Sequence, residues 1–341
     1  MKKLSIKDIA RKADVSHSTV SRALRNSPLV NSETAERIQR IASESSFRVS
    51  AIGRSLATGR TNHIGVVVTT ITDPYIAEVV NAIEDTANAR GYSVVLANSR
   101  ADPDREMKVV QSFDEERRVD GMLVMASRVG PAYVPLLAGL RIPVVLINSQ
   151  HLGQSVYSVG IENIGGSHAA TRFLIQLGHK RISYIGDRFG FQSDADRLAG
   201  YRQALENAGI PFSPELVVAG DATAEGGVLA MSQLLSSSDP PTAVFCYNDM
   251  TAIGALKAAG MHHIRVPEDI SVVGFDDLMI SSYTHPPLTT VRQPKNQIGR
   301  MATETLLNLL GGSSTEISRK VQGDLIVRES TAPPRSRTVT G

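Results

Sequence analysis

Tryptophan is absent from this sequence, cysteine occurs once, and no apolar run approaches the ~20 residues that a membrane helix requires. Each absence closes a class of protein. The single thiol, Cys246, cannot form an internal disulfide, so the chain is not a small stapled module. The most apolar segments, such as IPVVLIN at 142–148, have the length of buried strands. The opening MKKLSIKDIARKAD follows its lysines with mixed polar residues instead of the apolar core of a secretory signal. Together these features lead to the expectation of a soluble, cytoplasmic protein without membrane association, and 341 residues are enough for two globular domains or one large one.

The chemistry of the common α/β enzymes is also missing. No two of the 27 glycines are separated by one residue, so there is no G-x-G-x-x-G dinucleotide loop, and no G-x-x-x-x-G-K-[ST] phosphate loop occurs. Ser167 follows Gly165 and Gly166 but precedes His168 and Ala169, which is not a nucleophile elbow. His262 and His263 are adjacent, point apart on any regular element, and lack partners at metal spacing. Cys246, inside an apolar run, reads as core. The expectation is a non-enzyme with no metal and no cofactor.

What is present is an uneven distribution of charge. Residues 1–62 carry twelve basic side chains against five acidic ones, whereas the remaining 279 carry 24 against 29, so a net charge of +2 conceals a basic head on a mildly acidic body. Because phosphate neutralisation dominates nucleic-acid affinity, the head is the part expected to meet a polyanion.

Within the head, Ser5 can cap a helix over 5–13, with Asp8 in its first turn and Ile6, Ile9, Ala10 and Ala13 on one face. Ser16 can cap a second helix. Val15, Val20 and Leu24 would pack it on the first, leaving His17, Ser18, Ser21, Arg22 and Arg25 outward. Asn31 and Ser32 signal a third helix through Ala35, Ile38, Ile41 and Ala42, closed by Phe47. This is helix-turn-helix spacing. Arg22 can pair bidentately with a guanine edge, and His17 and Ser18 can reach neighbouring bases. Thr19, Ser21 and Asn26 suit phosphate oxygens, and Ser16 and Asn31 join the same DNA-facing set. Any one of these alone reads as an ordinary surface residue; the group, on a basic module, reads as a DNA-contacting face.

The runs SIKDIARKADVSHSTVSRAL, VNSETAERI and SAIGRSLATGRTNHIGVVV, continued by DGMLVMAS, LGHKRISYIGD, RLAGYRQAL, NDMTAIGAL, DISVVGFDD and PPLTTVRQP, carry a resemblance over nearly the whole chain. The sequence resembles the lactose-repressor and galactose-repressor family of bacterial transcription factors. That resemblance implies a hinge helix over 50–58, which folds when two subunits sit side by side on an operator and drives Leu56 into the minor groove, bending the DNA. Ser50 and Gly53 fall in the same segment. Val49 stands where the family often has proline, and Gly53 where it usually has alanine. Glycine inside a helix costs up to ~1 kcal/mol relative to alanine, so this hinge should fold less readily.

From His63 onward, short apolar runs alternate with helical periodicity: IGVVV, YSVVLANS, DGMLVM, IPVVLIN, RISYIGD, TAVFCYN and ISVVGFD. Uniformly apolar strands alternating with helices imply parallel sheets covered on both faces. The fold class expected is therefore an all-α helix-turn-helix head followed by a doubly wound α/β body. The resemblance makes the body two-lobed, like the type I periplasmic sugar-binding proteins. The divisions are 1–48 for the head, 49–62 for hinge and linker, and 63–341 for the body. One lobe takes about 63–161 plus 291–320 and the other about 162–290 plus 321–341.

In open α/β sheets, ligands lie beyond the carboxyl ends of strands. Asn148, Asp187, Asn248, Asp276 and Asp277 end strands, and Asp73 and Tyr75 follow the first body strand. Amides, carboxylates and an aromatic face suit a polyhydroxylated ligand. The family motif makes Arg197 and Asp276 the principal ligand-holding pair, with Asn248 and Asn148 beside them, Tyr75 as stacking platform, and Ser127 and Phe191 as further candidates. Asp249 and Asp277 read instead as helix N-caps, and Arg197 alone could be a surface arginine opening a helix. Asn148 replaces an aspartate of several members, and DATAEGG after Gly220 lacks an aromatic that some members have there. Sugars, polyols and sugar acids stay open, while a purine is disfavoured because no second aromatic is evident.

The reading is a homodimeric transcriptional regulator of carbohydrate metabolism, a repressor bound to a palindromic operator and controlled by a small effector between its lobes. The alternative is a sugar-binding protein whose head lacks sequence-specific recognition. The helix opening at Asp73 and running through Ile76, Val79, Val80 and Ile83 offers a dimer face, although packing on the sheet explains the same residues.

Overall fold

The structure, a computed structural model, describes residues 5–24, 27–45, 47, 58–125, 133–149, 156–313 and 316–335. The chain divides into two compact units, Met1–Asn62 and His63–Gly341.

The first unit contains α1 (Ile6–Lys12), α2 (His17–Ala23) and α3 (Ser32–Glu44). Ser5 and Asp8 form a reciprocal capping box at the start of α1, satisfying amide donors that a helix terminus leaves orphaned. The turn into α2 passes through Asp14 in the left-handed region, φ 49°. Ile9, Val20 and Ile38, one from each helix, meet in a core with no exposure, and Val15, Leu24 and Phe47 close its edges.

The second unit holds two six-stranded sheets. The first comprises β1 (His63–Val68), β2 (Ser93–Asn98), β3 (Gly121–Met125), β4 (Val144–Ile147), β5 (Tyr157–Ile161) and β11 (Ser318–Val321), in the order β11-β5-β4-β3-β1-β2, all parallel. The second comprises β6 (Ile182–Asp187), β7 (Val217–Gly220), β8 (Ala243–Cys246), β9 (Ser271–Asp276), β10 (Thr289–Arg292) and β12 (Asp324–Ile326). Its order is β12-β10-β9-β8-β6-β7, with only β12 antiparallel. Parallel neighbours need crossover helices. These are α4 (Pro74–Asn88), α5 (Pro103–Glu115), α6 (Tyr133–Ala138), α7 (Asn163–Gln176), α8 (Gln192–Asn207), α9 (Ala224–Leu235), α10 (Asp249–Met261) and α11 (Lys295–Leu310).

The chain passes between the lobes three times, at 162, at 293–294 and at 322–323. Because β10 belongs to the second sheet, the return to the first lobe falls after 292. A Cβ on Gly323 would lie 2.9 Å from the Arg292 carbonyl oxygen and 3.0 Å from Ile161 Cδ1, so the three crossings touch.

The face of α4 suggested as a dimer surface is core. Ile76, Val79 and Ile83 are buried beneath α11, and Val80 is half-buried. Cys246 is fully buried in β8, and burial pushes its thiol pKa upward, as a core residue requires. His262 and His263 are exposed. Among the described residues no helix is long and apolar enough to cross a membrane.

Candidate DNA-reading helix and ligand cleft

On α2, His17, Ser18 and Arg22 are exposed while Thr19 and Ser21 are half-buried, so the polar side faces outward as the spacing indicates. Ser16 caps the helix. Its Oγ accepts from the Thr19 amide at 3.1 Å and lies 2.7 Å from Ser18 Oγ and 2.8 Å from Thr19 Oγ1, so three hydroxyls share one network. Asn31 Oδ1 accepts from the Thr34 amide at 2.8 Å, which leaves only its NH2 end for a phosphate. Arg25, Asn26, Ser50, Gly53 and Leu56, and with the last three the hinge, lie outside the described residues, as does Ser127 of the effector set.

Between the carboxyl ends of the two sheets lies a cavity of about 660 Å³. Tyr75 and Asn148 line it from the first lobe, and Phe191, Arg197, Asn248 and Asp276 from the second. All six described effector candidates therefore face one space, although they are separated by up to 201 positions in the chain.

Arg197 is 3 % exposed, which removes the surface-arginine alternative. Its Nε donates to Asn163 Oδ1 at 2.9 Å and its Nη1 to the Tyr247 carbonyl at 2.5 Å, engaging two of five N–H donors. The guanidinium carbon lies 3.7 Å from the Phe275 ring centre and 4.7 Å from that of Tyr247, so rings hold the cation in place.

Asp276 is 4 % exposed and accepts from Gln293 Nε2 at 2.6 Å. Burial pushes its carboxyl pKa well above the ordinary range; Arg197 opposes the rise, and the carboxylates of Asp249 and Asp73 add to it. Asp73, the N-cap of α4, is also raised by burial, and the Tyr75 amide that it accepts pulls it back. One buried and one half-buried carboxyl thus face one arginine, and hydroxyl donors from a ligand would stabilise their charged forms.

Asn148 has φ 49°, a left-handed backbone that asparagine tolerates better than most residues. Its Oδ1 accepts from the Ile161 amide at 3.1 Å, and its Nδ2 donates to Tyr75 Oη and, at 3.3 Å, to Gln293 Oε1. A hydrogen-bonded chain, Tyr75–Asn148–Gln293–Asp276, therefore runs from one lobe to the other through the middle crossing. Asn248 caps α10 through Thr251 N at 2.8 Å and donates to the Ala222 carbonyl at 3.0 Å.

Three sequence expectations need correction. Asp249 is not an N-cap, because Asn248 takes that place; fully buried, it accepts from the Leu278 amide, Ser281 Oγ and Thr290 Oγ1 at 2.8, 2.5 and 2.5 Å. Asp277 caps nothing either, and pairs with Arg292 Nε at 2.7 Å and Arg328 Nη2 at 2.5 Å. The apparent lack of a second aromatic was an artefact of linear order: Tyr75 from one lobe shares the cleft with Phe191 and Tyr247 from the other. The argument against a purine loses its premise.

The sequence reading missed Tyr247, Asn163 and Gln293. Gln293 follows TTVR at a strand end and obeys the positional rule that selected Asn148 and Asp276. Two threonines and an arginine in four residues hide that strand from an apolarity search.

The model of the bacterial regulatory proteins of the lacI family matches residues 5–50, and that of the periplasmic binding protein-like domain matches 171–331. The transcriptional repressor CytR of Escherichia coli (strain K12) is 36% identical over 333 residues, covering 96% of both chains. The chain belongs to the lacI family. Among solved structures, the Lac repressor dimer bound to operator and the anti-inducer ONPF is 27% identical at a TM-score of 0.88, covering 97% of this chain and 100% of that one. The regulator CelR in complex with cellobiose is 31% identical at 0.74, covering 96% and 99%. This lacI-family regulator is thus a DNA-binding transcriptional repressor under effector control, a reading favoured over the one without sequence-specific recognition.

Proposed function

We propose that this regulator works in the cytoplasm as a homodimer on a palindromic operator, releasing or gripping it as an uncharged polyhydroxylated effector enters the cleft. The observation that carries the effector class is the pairing of buried Arg197 and Asp276 with rings on both walls. Charged edges serve hydroxyls, and Tyr75 and Phe191 cover a ring face. Asp276 and Asp73 already stand beside the one arginine, so an anion would have to displace them from it. The cellobiose complex of CelR supports a sugar, and rings on both walls also suit a nucleoside, which carries a flat base beside a sugar.

The dimer surface assigned here is the exposed turn at Met279, Ile280 and Tyr283, anchored from beneath by Asp249. On DNA, Ser16, His17, Ser18, Thr19, Ser21, Arg22 and Asn31 face the operator, with Asn26, Ser50, Gly53 and Leu56 completing the set. Arg22→Ala should cost about 1–3 kcal/mol at a single base position and relax the sequence preference there, as competition binding with mutated operators would show.

The deciding experiment is a thermal-unfolding screen against neutral sugars, polyols, nucleosides, sugar acids and sugar phosphates. A ligand at 100 times its Kd adds about 2.7 kcal/mol of stability. A shift confined to neutral compounds is expected, and one confined to phosphates or acids would overturn the class.

A further inference from the structure

Lys295 is the first residue of α11, directly after the middle crossing, and its side chain is 8% exposed. Its Nζ donates to the Asp276 carbonyl at 2.9 Å and the Asp277 carbonyl at 2.7 Å, and lies 3.3 Å from Glu78 Oε2 on α4. The ammonium thus has two hydrogen-bond acceptors in the second lobe and an ion-pair partner in the first. Both clamped residues have backbones that L-residues avoid, with φ 135° at Asp276 and φ 53° at Asp277. Consecutive strained residues persist only when their surroundings over-determine them. Gln293, two positions earlier, holds the Asp276 carboxyl from the same crossing.

We infer that Lys295 is a positioning residue for the effector site, pinning the strained Asp276–Asp277 backbone so that the Asp276 carboxyl faces the cleft, and tying that carboxyl to the first lobe through Glu78. The inference rests on the cleft reading above, in which Asp276 holds the effector. A buried ammonium is costly, and an apolar side chain of similar length would fill the same space, so packing alone does not account for a lysine here. The middle crossing grips Asp276 at its carbonyl through Lys295 and at its carboxyl through Gln293. A rotation of the lobes that moves this crossing therefore carries the ligand-binding carboxylate with it.

The test needs neither effector nor operator. In the full-length protein with aspartates labelled at 13Cγ, and Asp276→Asn to assign the signal, the Asp276 titration is followed by NMR in the parent and in Lys295→Met. The charged and titratable groups around this carboxyl are Arg197, Asp249, Asp73, Tyr75 and Tyr247, with the Lys295 ammonium on its backbone carbonyl. Release of the turn into solvent should lower the midpoint by at least about one pH unit, and Lys295→Arg should restore most of it. Loss of a nearby positive charge without movement would raise the midpoint, so a rise overturns the inference, as does no change. Should Lys295→Met not fold, Lys295→Gln, which keeps a donor, is read by the same criterion. Failure of the cleft reading shows separately, as an effector-induced thermal shift that survives Asp276→Asn.

Discussion

The two lobes share a strand order and differ in what they bring to the cleft. The second supplies fixed charge: Arg197 wedged between Phe275 and Tyr247, and Asp276 on a strained backbone. Behind them the α9–α10 contact is so close that a Cβ on Gly254 would come within 2.0 Å of the Ala224 carbonyl oxygen. The first lobe supplies a ring and an amide, Tyr75 and Asn148, which hydrogen-bond each other and need no charge to hold them. One topology therefore yields a half whose buried charges are held by rings, suited to selecting the ligand, and a half whose ring and amide are uncharged and whose carboxyl, Asp73, sits less buried at a helix start, suited to closing over it.

Substitutions in the two walls should accordingly differ in size. Arg197→Met should reduce effector affinity most, by about 100-fold or more, since it leaves buried carboxyls without their counter-charge; calorimetric titration would show the loss while operator binding in the absence of effector persists. Gly254→Ala should follow, destabilising the protein by roughly 1–3 kcal/mol through overpacking, measured by urea unfolding. A fully tolerated alanine would mean that the second lobe is softer than its contacts imply.

Asp276→Asn comes next and acts in the opposite direction. The folded-state pKa of Asp276 is raised above its unfolded value, so its contribution to stability is fully present below the ordinary carboxylate range and is lost as pH rises through the folded value. The asparagine variant should therefore be more stable than the parent near neutrality, by about 1–2 kcal/mol, and the gap should close on acidification. A melting temperature that changes equally at pH 5 and pH 7 would show that the carboxyl does not titrate as its burial requires. The smallest effect is expected in the first lobe, where Tyr75→Phe removes one hydroxyl from the Asn148 amide and should weaken effector binding by about 1 kcal/mol.

The fold was largely legible in the sequence because apolar runs and capping residues act locally. Ser5 with Asp8, Ser16, Asn31 and Asp73 each announce a helix start and are found capping one. The six cleft positions could be chosen because strand ends obey a positional rule and the family motifs narrow the choice. What stayed hidden depended on contacts between distant segments. Asp249 and Asp277 look like caps in one dimension, but acquire their partners from Ser281, Thr290, Arg292 and Arg328, which only folding brings near. Tyr75 and Phe191 cannot be seen to share a cleft until two lobes stand opposite each other. The apolar face of α4 illustrates the same limit, since a helix with two covered sides shows the same periodicity as one awaiting a partner.

The three crossings touch at Gly323, and the outer strand pairs that feed them, β5 with β11 and β10 with β12, lie at one edge of each sheet. Joined in this way along a single spine, the lobes resemble the covers of a book. Sliding one lobe over the other would drag all three tethers, whereas swinging about the spine bends them where they already lie together, so the swing is the softer coordinate. Displacement along it is least at the spine and greatest at β2 and β7, the free edges. A ligand that bridges the two walls acts on the angle of this hinge, far from the spine, where a small contact has the longest lever.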